Sequence, residues 1–203
     1  CQKDRVKVVN ALLERKEIQI NQPMDDGCTP LFIACQKDRV KVVNALLARK
    51  EIQINQAMND GWTPLMFACK KDLLNIVKVL LRSKNIQINL PNGHGETPLY
   101  IACKHANLNV VNALIQCKDI EINQPKKDGW SPLLVACEKR HVKIVQVLLQ
   151  CKRIQINQPN NDGATPLYIV CLGGHLTIVN ALLQSKDIQI NQSMDNGWTP
   201  LLA

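Results

Sequence analysis

Asp26-Gly27-Cys28-Thr29-Pro30-Leu31-Phe32-Ile33-Ala34-Cys35 is the stretch that decides the fold. Asp26-Gly27 is a turn signal. Thr29 carries a side-chain oxygen suited to capping a helix, and Pro30 suits the first helical position, where its missing N–H costs nothing. Leu31, Ile33, Ala34 and Cys35 predict a short helix with small residues on one side. Lys37-Asp38 ends it. Val40, Val43, Leu46 and Leu47 then follow at i, i+3, i+6 and i+7, the apolar stripe of a second helix. Arg49-Lys50 closes that helix at the negative end of its dipole. Ile52-Gln53-Ile54-Asn55 reads as an extended return segment.

The same text recurs along the chain. Thr-Pro stands at Thr29, Thr63, Thr97, Thr165 and Thr199, with Ser131-Pro132 in the remaining slot, and every step is 34 residues. Cysteine keeps the same phase at Cys1, Cys35, Cys69, Cys103, Cys137 and Cys171, as does asparagine at Asn21, Asn55, Asn89, Asn123, Asn157 and Asn191. Residues 1–34 and 35–68 differ at six positions, the mark of a copied unit. The 203 residues are six times 34 minus one. The phase divides the chain into units at 1–23 (partial), 24–57, 58–91, 92–125, 126–159, 160–193 and 194–203 (partial). Opening at Cys1, the chain reads as a piece of something longer. A helix pair this short cannot bury its apolar stripe alone, so stacking predicts an all-α solenoid.

The pattern resembles the ankyrin repeat. Asp26-Gly27-x-Thr29-Pro30-Leu31-x-x-Ala34-Cys35, then Val42-Val43-x-x-Leu46-Leu47, then Ile54-Asn55 carries the likeness, and it holds along the whole chain. The tetratricopeptide array shares the period, but its Trp/Gly/Tyr pattern is absent. Three departures stand out. The period is one residue longer than the family's usual 33, with the extra residue around Lys50-Glu51. The His that follows Thr-Pro-Leu in the family is replaced by Phe32, Met66, Tyr100, Leu134 and Tyr168. The Gly-His pair between the helices survives at Gly174-His175, while Asp38, Asp72, Ala106 and Arg140 fill the other Gly slots. A positive φ at those slots would strain them.

Composition removes several function classes. No apolar run reaches the ~18 residues of a membrane span, and no signal peptide is visible. Seven aromatics are too few for a nucleic-acid stacking platform. The cysteine column holds residues one repeat apart, roughly 10 Å, beyond the ~7 Å a disulfide spans. No Cys-x-x-Cys pair or zinc spacing exists, so no metal or cofactor is expected. The column reads as small buried hydrophobes, whereas Cys28, just after a turn, is expected to be exposed. Reduced thiols point to an intracellular, cytoplasmic location. His141 and His175 fall in the family's structural slot, and His94 and His105 read as surface residues. The periodic carboxylates Asp26, Asp60, Asp128 and Asp162 read as turn residues. No catalytic constellation assembles, so the chain is read as non-enzymatic. Asn191-Gln192-Ser193 matches a glycosylation sequon in a chain without a visible secretory signal.

The resemblance implies a protein-interaction scaffold whose turn tips and first helices line a concave groove. Carried onto this chain, the groove comprises the residue after each tip glycine (Cys28, Trp62, Glu96, Trp130 and Trp198), the ends of the first helices (Lys37, Lys70, Lys71, Lys104, His105 and Lys139) and the tips (Asp25, Asn59, His94, Lys127 and Asn161). Three of these are tryptophans, the residue type most enriched among interface hot spots. The net charge of +8 and the basic ladder favour an acidic, partly apolar segment of another protein as the partner. Two other readings compete: nucleic acid or anionic lipid headgroups on basic columns such as Lys16, Lys50, Lys84, Lys118, Lys152 and Lys186, or a structural spacer. Lysines interleaved with Asp and Glu, and sparse arginine, weigh against the first. The resemblance also implies Asn21 and its equivalents as hydroxylation targets. Uncapped apolar ends predict that the chain self-associates or frays.

Overall fold

The structure is a computed structural model that describes residues 2–203, with side chains described from Val6 onward. Cys1, first of the cysteine column, lies outside the described residues. Two kinds of helix alternate along the chain. First helices are α2 (Pro30–Gln36), α4 (Pro64–Lys70), α6 (Pro98–Lys104), α8 (Pro132–Glu138) and α10 (Pro166–Leu172). Second helices are α1 (Gln2–Leu13), α3 (Val40–Leu47), α5 (Leu74–Leu81), α7 (Leu108–Ile115), α9 (Val142–Leu149) and α11 (Leu176–Leu183). Each first helix packs on the second helix that follows it and on its neighbouring first helices (α4 for α2, α8 for α10, one on either side for the others), and the second helices form a parallel row behind. The result is a two-layer, all-helical solenoid, with no strand among the described residues.

The helix starts follow the sequence closely. Thr29, Thr63, Thr97, Ser131 and Thr165 each sit in extended backbone with the side-chain oxygen accepting the N–H three residues on, and proline takes the first helical position. The cap satisfies one of the donors that a helix start leaves unpaired. The second helices end at Leu47 and its equivalents, before Arg49-Lys50, and the return segment after them passes through turns.

Between the helices the chain must reverse in three residues, and this forces positive φ. Asp38, Asp72, Ala106 and Arg140 have φ of 49°, 55°, 62° and 61°, beside 64° at Gly174. The strain foreseen for the non-glycine residues is present, greatest for Ala106 and Arg140, which lack the short polar side chain that eases this conformation.

One apolar core runs the length of the solenoid. Leu31, Leu65, Leu99, Leu133 and Leu167 are all nearly inaccessible, as are Val43, Val77, Val111 and Val145 of the second helices. Phe32, Met66, Tyr100, Leu134 and Tyr168, at the position after that leucine, are buried too. Cys35, Cys69, Cys103 and Cys137 have no exposed surface, and with the rest of the described cysteines they are free thiols. Burial pushes the Cys35 thiol up to about 12 and raises its column neighbours further. These are inert core residues, as small hydrophobes in a tight helix interface should be.

Candidate functional site

Each tip is a four-residue hairpin that hydrogen-bonds to the next. Met24 N–H donates to Cys28 O at 3.0 Å and Gly27 N–H to Met24 O at 2.9 Å, closing one tip. Asp26 Oδ1 accepts the Cys28 N–H at 2.8 Å, and Asp60 and Asp128 serve their tips in the same way. In the fifth full tip Asn160, rather than Asp162, is the accepting side chain. The tip glycine stands at φ 88° in Gly27, and a Cβ there would lie 2.8 Å from the Asn59 nitrogen of the neighbouring tip. Only glycine meets both demands at once. The tips are joined by single backbone bonds, such as Asn59 N–H to Asp26 O at 3.1 Å and Asn161 N–H to Asp128 O at 3.1 Å.

A second ladder ties the return segments together. Asn21 Nδ2 donates to Glu51 O at 2.7 Å while Asn21 Oδ1 accepts the Gln53 N–H at 2.9 Å. Asn55, Asn89, Asn123 and Asn157 repeat both bonds onto the next unit. Its rungs reach 30 and 32 residues along the chain. The sequence showed the asparagine column but not this partnership, whose only signal was the fixed 34-residue phase.

On this scaffold Trp62 and Glu96, each the residue after a tip glycine, face the last residue of the following first helix, eight positions on. Trp62 is half-buried, and the Lys70 ammonium lies 4.9 Å from its ring centroid, a cation–π contact. One unit later Glu96 replaces the indole. Its Oε1 accepts from Lys104 Nζ at 2.7 Å and its Oε2 from Asn92 Nδ2 at 3.0 Å. Glu96 is only 7% exposed. Desolvation would raise its carboxyl, but the bonds from Lys104 and Asn92 outweigh it and hold the group below the usual carboxylate range.

The residues expected in the groove therefore divide. Cys28 corrects the expectation of exposure: it is buried at 4%, because so small a side chain tucks under the next tip. Burial and the neighbouring Asp26 push its thiol up to about 11. Glu96 is buried as well, and Ala164 in the same slot is 2% exposed. The larger Trp130 remains half-buried like Trp62, and Trp198, with no described tip beyond it, is 48% exposed. Lys37, Lys70, Lys71, His105 and Lys139 are exposed, and Lys104 is half-buried. Lys104 stands in the register of Lys70, whereas Lys37, Lys71 and Lys139 share the next one, so the ladder is two columns rather than one. Lys139 pairs with Glu138 at 3.3 Å. His105 stands near Lys70 and Lys104; partial desolvation and then those two charges lower its proton affinity. Asp25, Asn59, His94, Lys127 and Asn161 are exposed at the tips. The amides of Asn59 and Asn161 each donate to the preceding tip, at Asp25 O and Lys127 O, so part of their capacity is structural.

The inter-helix slot shows a related device. His141 Nε2 lies 3.3 Å from Lys104 O, and Asn107 Nδ2 lies 2.6 Å from Cys69 O. Both reach back to carbonyls near the end of the preceding unit's first helix, α6 for His141 and α4 for Asn107. His175, in the same slot, packs its ring over Gly173, where a Cβ would come within 2.4 Å of Nε2. Among the described residues no group of three or more His, Cys, Asp or Glu side chains is placed to hold a metal ion. Among them, too, no helix is long and apolar enough to cross a membrane.

Comparison with known proteins agrees with this architecture. A family model described as ankyrin repeats (3 copies) matches residues 1–92 and 84–160, and one described as ankyrin repeats (many copies) matches 148–201. The ankyrin repeat domain of Bcl-3, a member of the IkappaB protein family, superposes with a TM-score of 0.88 at 23% identity, covering 99% of this chain and 88% of that one. EF0377, an ankyrin repeat protein, gives 0.78 at 25% identity, covering 88% and 90%. No curated protein sequence matches the chain. The capped Thr-Pro-Leu helix starts, the stacked tips and these matches along the chain establish that it belongs to the ankyrin-repeat family.

Proposed function

We propose that the chain binds an acidic, partly apolar segment of another protein along the face made by its tips and first-helix ends. Ankyrin repeats are in general protein–protein interaction modules and a non-enzymatic scaffold. The observation that carries the finer reading is the Trp62–Lys70 pair. A half-buried indole with an ammonium over its ring offers an apolar plate and an unneutralised charge at one spot. Lys37 and Lys71 extend the basic patch, while Lys104 and Lys139 are already partnered by Glu96 and Glu138. Trp130 provides a second indole two units on.

The test starts from a partner captured on the full chain and mapped to a segment. The double change Trp62→Ala and Trp130→Ala should weaken that segment by about 2 kcal/mol or more for each indole that acts as a hot spot. Lys70→Ala with Lys71→Ala should slow association and reduce its dependence on salt. Unchanged affinity in the tryptophan double variant refutes the reading. The basic columns behind the second helices alternate with acids such as Glu51, Asp119 and Asp187, which disfavours nucleic acid or lipid headgroups as the ligand. Binding to DNA, RNA or acidic vesicles that falls steeply with salt would reverse that preference. Failure to capture any partner would favour the spacer reading.

A further inference from the structure

From Trp62 onward two kinds of tip alternate. In the tips of Trp62 and Trp130 an aspartate two residues earlier accepts the indole residue's N–H. In the tips of Glu96 and Ala164 the accepting side chain belongs to a buried asparagine four residues earlier, Asn92 or Asn160. The slot closes down with it: Glu96 and Ala164 are buried, whereas Trp62 and Trp130 stand half-buried. Both features recur at 68 residues, the indole from Trp62 to Trp130 and the tip asparagine from Asn92 to Asn160. Two apolar plates therefore flank a unit whose own slot is flush. The Glu96 carboxylate there is occupied by Lys104 and Asn92, so the intervening rung is neutral. Its tip is also lean, with His94 between Gly93 and Gly95, and two positions without side chains let a ligand backbone come close. The plates differ in charge. Lys70 lies over Trp62 and has no carboxylate partner among the described residues. Beside Trp130, Glu138 is paired with Lys139.

We propose that the partner segment lies extended across this face and carries two apolar anchors about six residues apart, one flanked by carboxylates and seated at Trp62 and Lys70, the other without them at Trp130; this rests on the reading of the face as a groove for an acidic, partly apolar segment, and adds the segment's conformation and register. Units stack at roughly 8–10 Å, which sets the two indoles roughly 16–20 Å apart. An extended chain rises about 3.3 Å per residue and covers that span in about five or six residues. A helix rises about 1.5 Å and needs about eleven to thirteen. A docked helix also presents an apolar stripe with a contact at every turn, about 5.4 Å. The ion-paired slot of Glu96 gives such a stripe nothing to meet between the indoles, whereas an extended segment needs only its two anchors. The residues that cross the neutral rung are uncharged, because a charge set there would lose water without gaining a partner.

Calorimetric titration of synthetic peptides into the unaltered chain tests the register. Each peptide carries Asp-Asp-Phe at one end and is made in both chain orders, the tighter order being compared. One has a second Phe six positions from the first across a Gly/Ser/Thr spacer, and another has it three positions away. A third sets the two Phe twelve positions apart on an alanine-rich helical spacer, and a fourth has the first anchor alone. The six-position peptide should bind about tenfold or more tightly than the other three, the effect of one further hot-spot contact. Trp130→Ala, verified as folded by circular dichroism, should bring that peptide to the affinity of the single anchor and leave the single anchor unchanged. Equal affinity for the six-position and single-anchor peptides, tightest binding at three or at twelve positions, or a six-position peptide indifferent to Trp130→Ala would each overturn the inference. The acidic-segment reading itself survives those results as long as the Asp-Asp-Phe end still depends on Trp62 and Lys70. Absence of binding by all four peptides would overturn both.

Discussion

Asn89→Ala isolates what the asparagine ladder contributes. The change removes two bonds across one unit boundary: Asn89 Nδ2 to Asp119 O at 2.7 Å, and Glu121 N–H to Asn89 Oδ1 at 3.0 Å. Each such bond is worth about 0.5–1.5 kcal/mol net. Both lie at the exposed back of the solenoid, where water can replace part of the loss, so the expected cost is about 1–2 kcal/mol. In a solenoid that cost falls on one nearest-neighbour interface, and it lowers the unfolding midpoint of the array. Asn191→Ala is the control, because among the described residues the Asn191 side chain has no hydrogen-bond partner, and the same atoms are deleted without loss. Urea unfolding at low micromolar concentration, followed by circular dichroism, should show a lower midpoint for Asn89→Ala and an unchanged one for Asn191→Ala. The slope with urea should be alike in both if the transition stays cooperative. Equal midpoints for the two variants would refute the reasoning, since the ladder would then carry no energy beyond side-chain solvation.

Ala106→Gly should stabilise the array by about 0.5–1 kcal/mol: relief of the left-handed conformation is worth roughly 1–2 kcal/mol, less the added entropy of the unfolded chain. Gly174→Ala, at φ 64° with open space around it, should destabilise through backbone strain alone; thermal unfolding measures both. Glu96 has a carboxyl held below its ordinary value, so its contribution is present above the ordinary carboxylate range and is lost as the pH falls through the lowered folded value. Glu96→Gln should therefore flatten the acid limb of the stability–pH curve relative to wild type, and parallel limbs would contradict it. Iodoacetamide on the native chain should label the half-buried Cys117, Cys151 and Cys171 well before Cys28, Cys35, Cys69, Cys103 or Cys137, as peptide mass spectrometry would show.

What could be read from the sequence was what local chemistry determines. Thr29-Pro30 fixes a cap and a helix start within four residues, and the non-glycine residues at Asp38 and Ala106 were recognisable as strained because the turn leaves no other conformation. What could not be read depends on neighbours 30 or more residues away, or on side-chain size in a crowded slot. Cys28 and Trp62 occupy the same position, yet one is buried and the other protrudes, because a thiol fits beneath the adjacent tip and an indole does not. The basic ladder misled for a similar reason. Counting lysines near helix ends merged two registers, and only the geometry reveals that Glu96 has drawn Lys104 into an ion pair.

The variable positions are organised in pairs within units. Residues eight apart read Cys28 with Gln36, Trp62 with Lys70, Glu96 with Lys104, Trp130 with Glu138, and Ala164 with Leu172. Two of these pairs are in contact, one through a ring face and one through a carboxylate. The columns that hold the solenoid together (the leucines, cysteines, caps and asparagines) are nearly uniform, so a change in one pair alters the surface without disturbing the stack. A bound segment running along this face would meet an aromatic-cationic rung at Trp62, a neutral rung at Glu96, and at Trp130 an aromatic rung whose Glu138 is paired with Lys139. The proposed acidic segment therefore has a direction: its carboxylates belong beside Lys70 and Lys71, and a neutral, apolar residue belongs beside Trp130. Reversing the segment would carry its carboxylates away from Lys70 and Lys71 and set them against the Trp130 rung, so a bound acidic peptide with its sequence inverted should lose affinity even though its composition is the same.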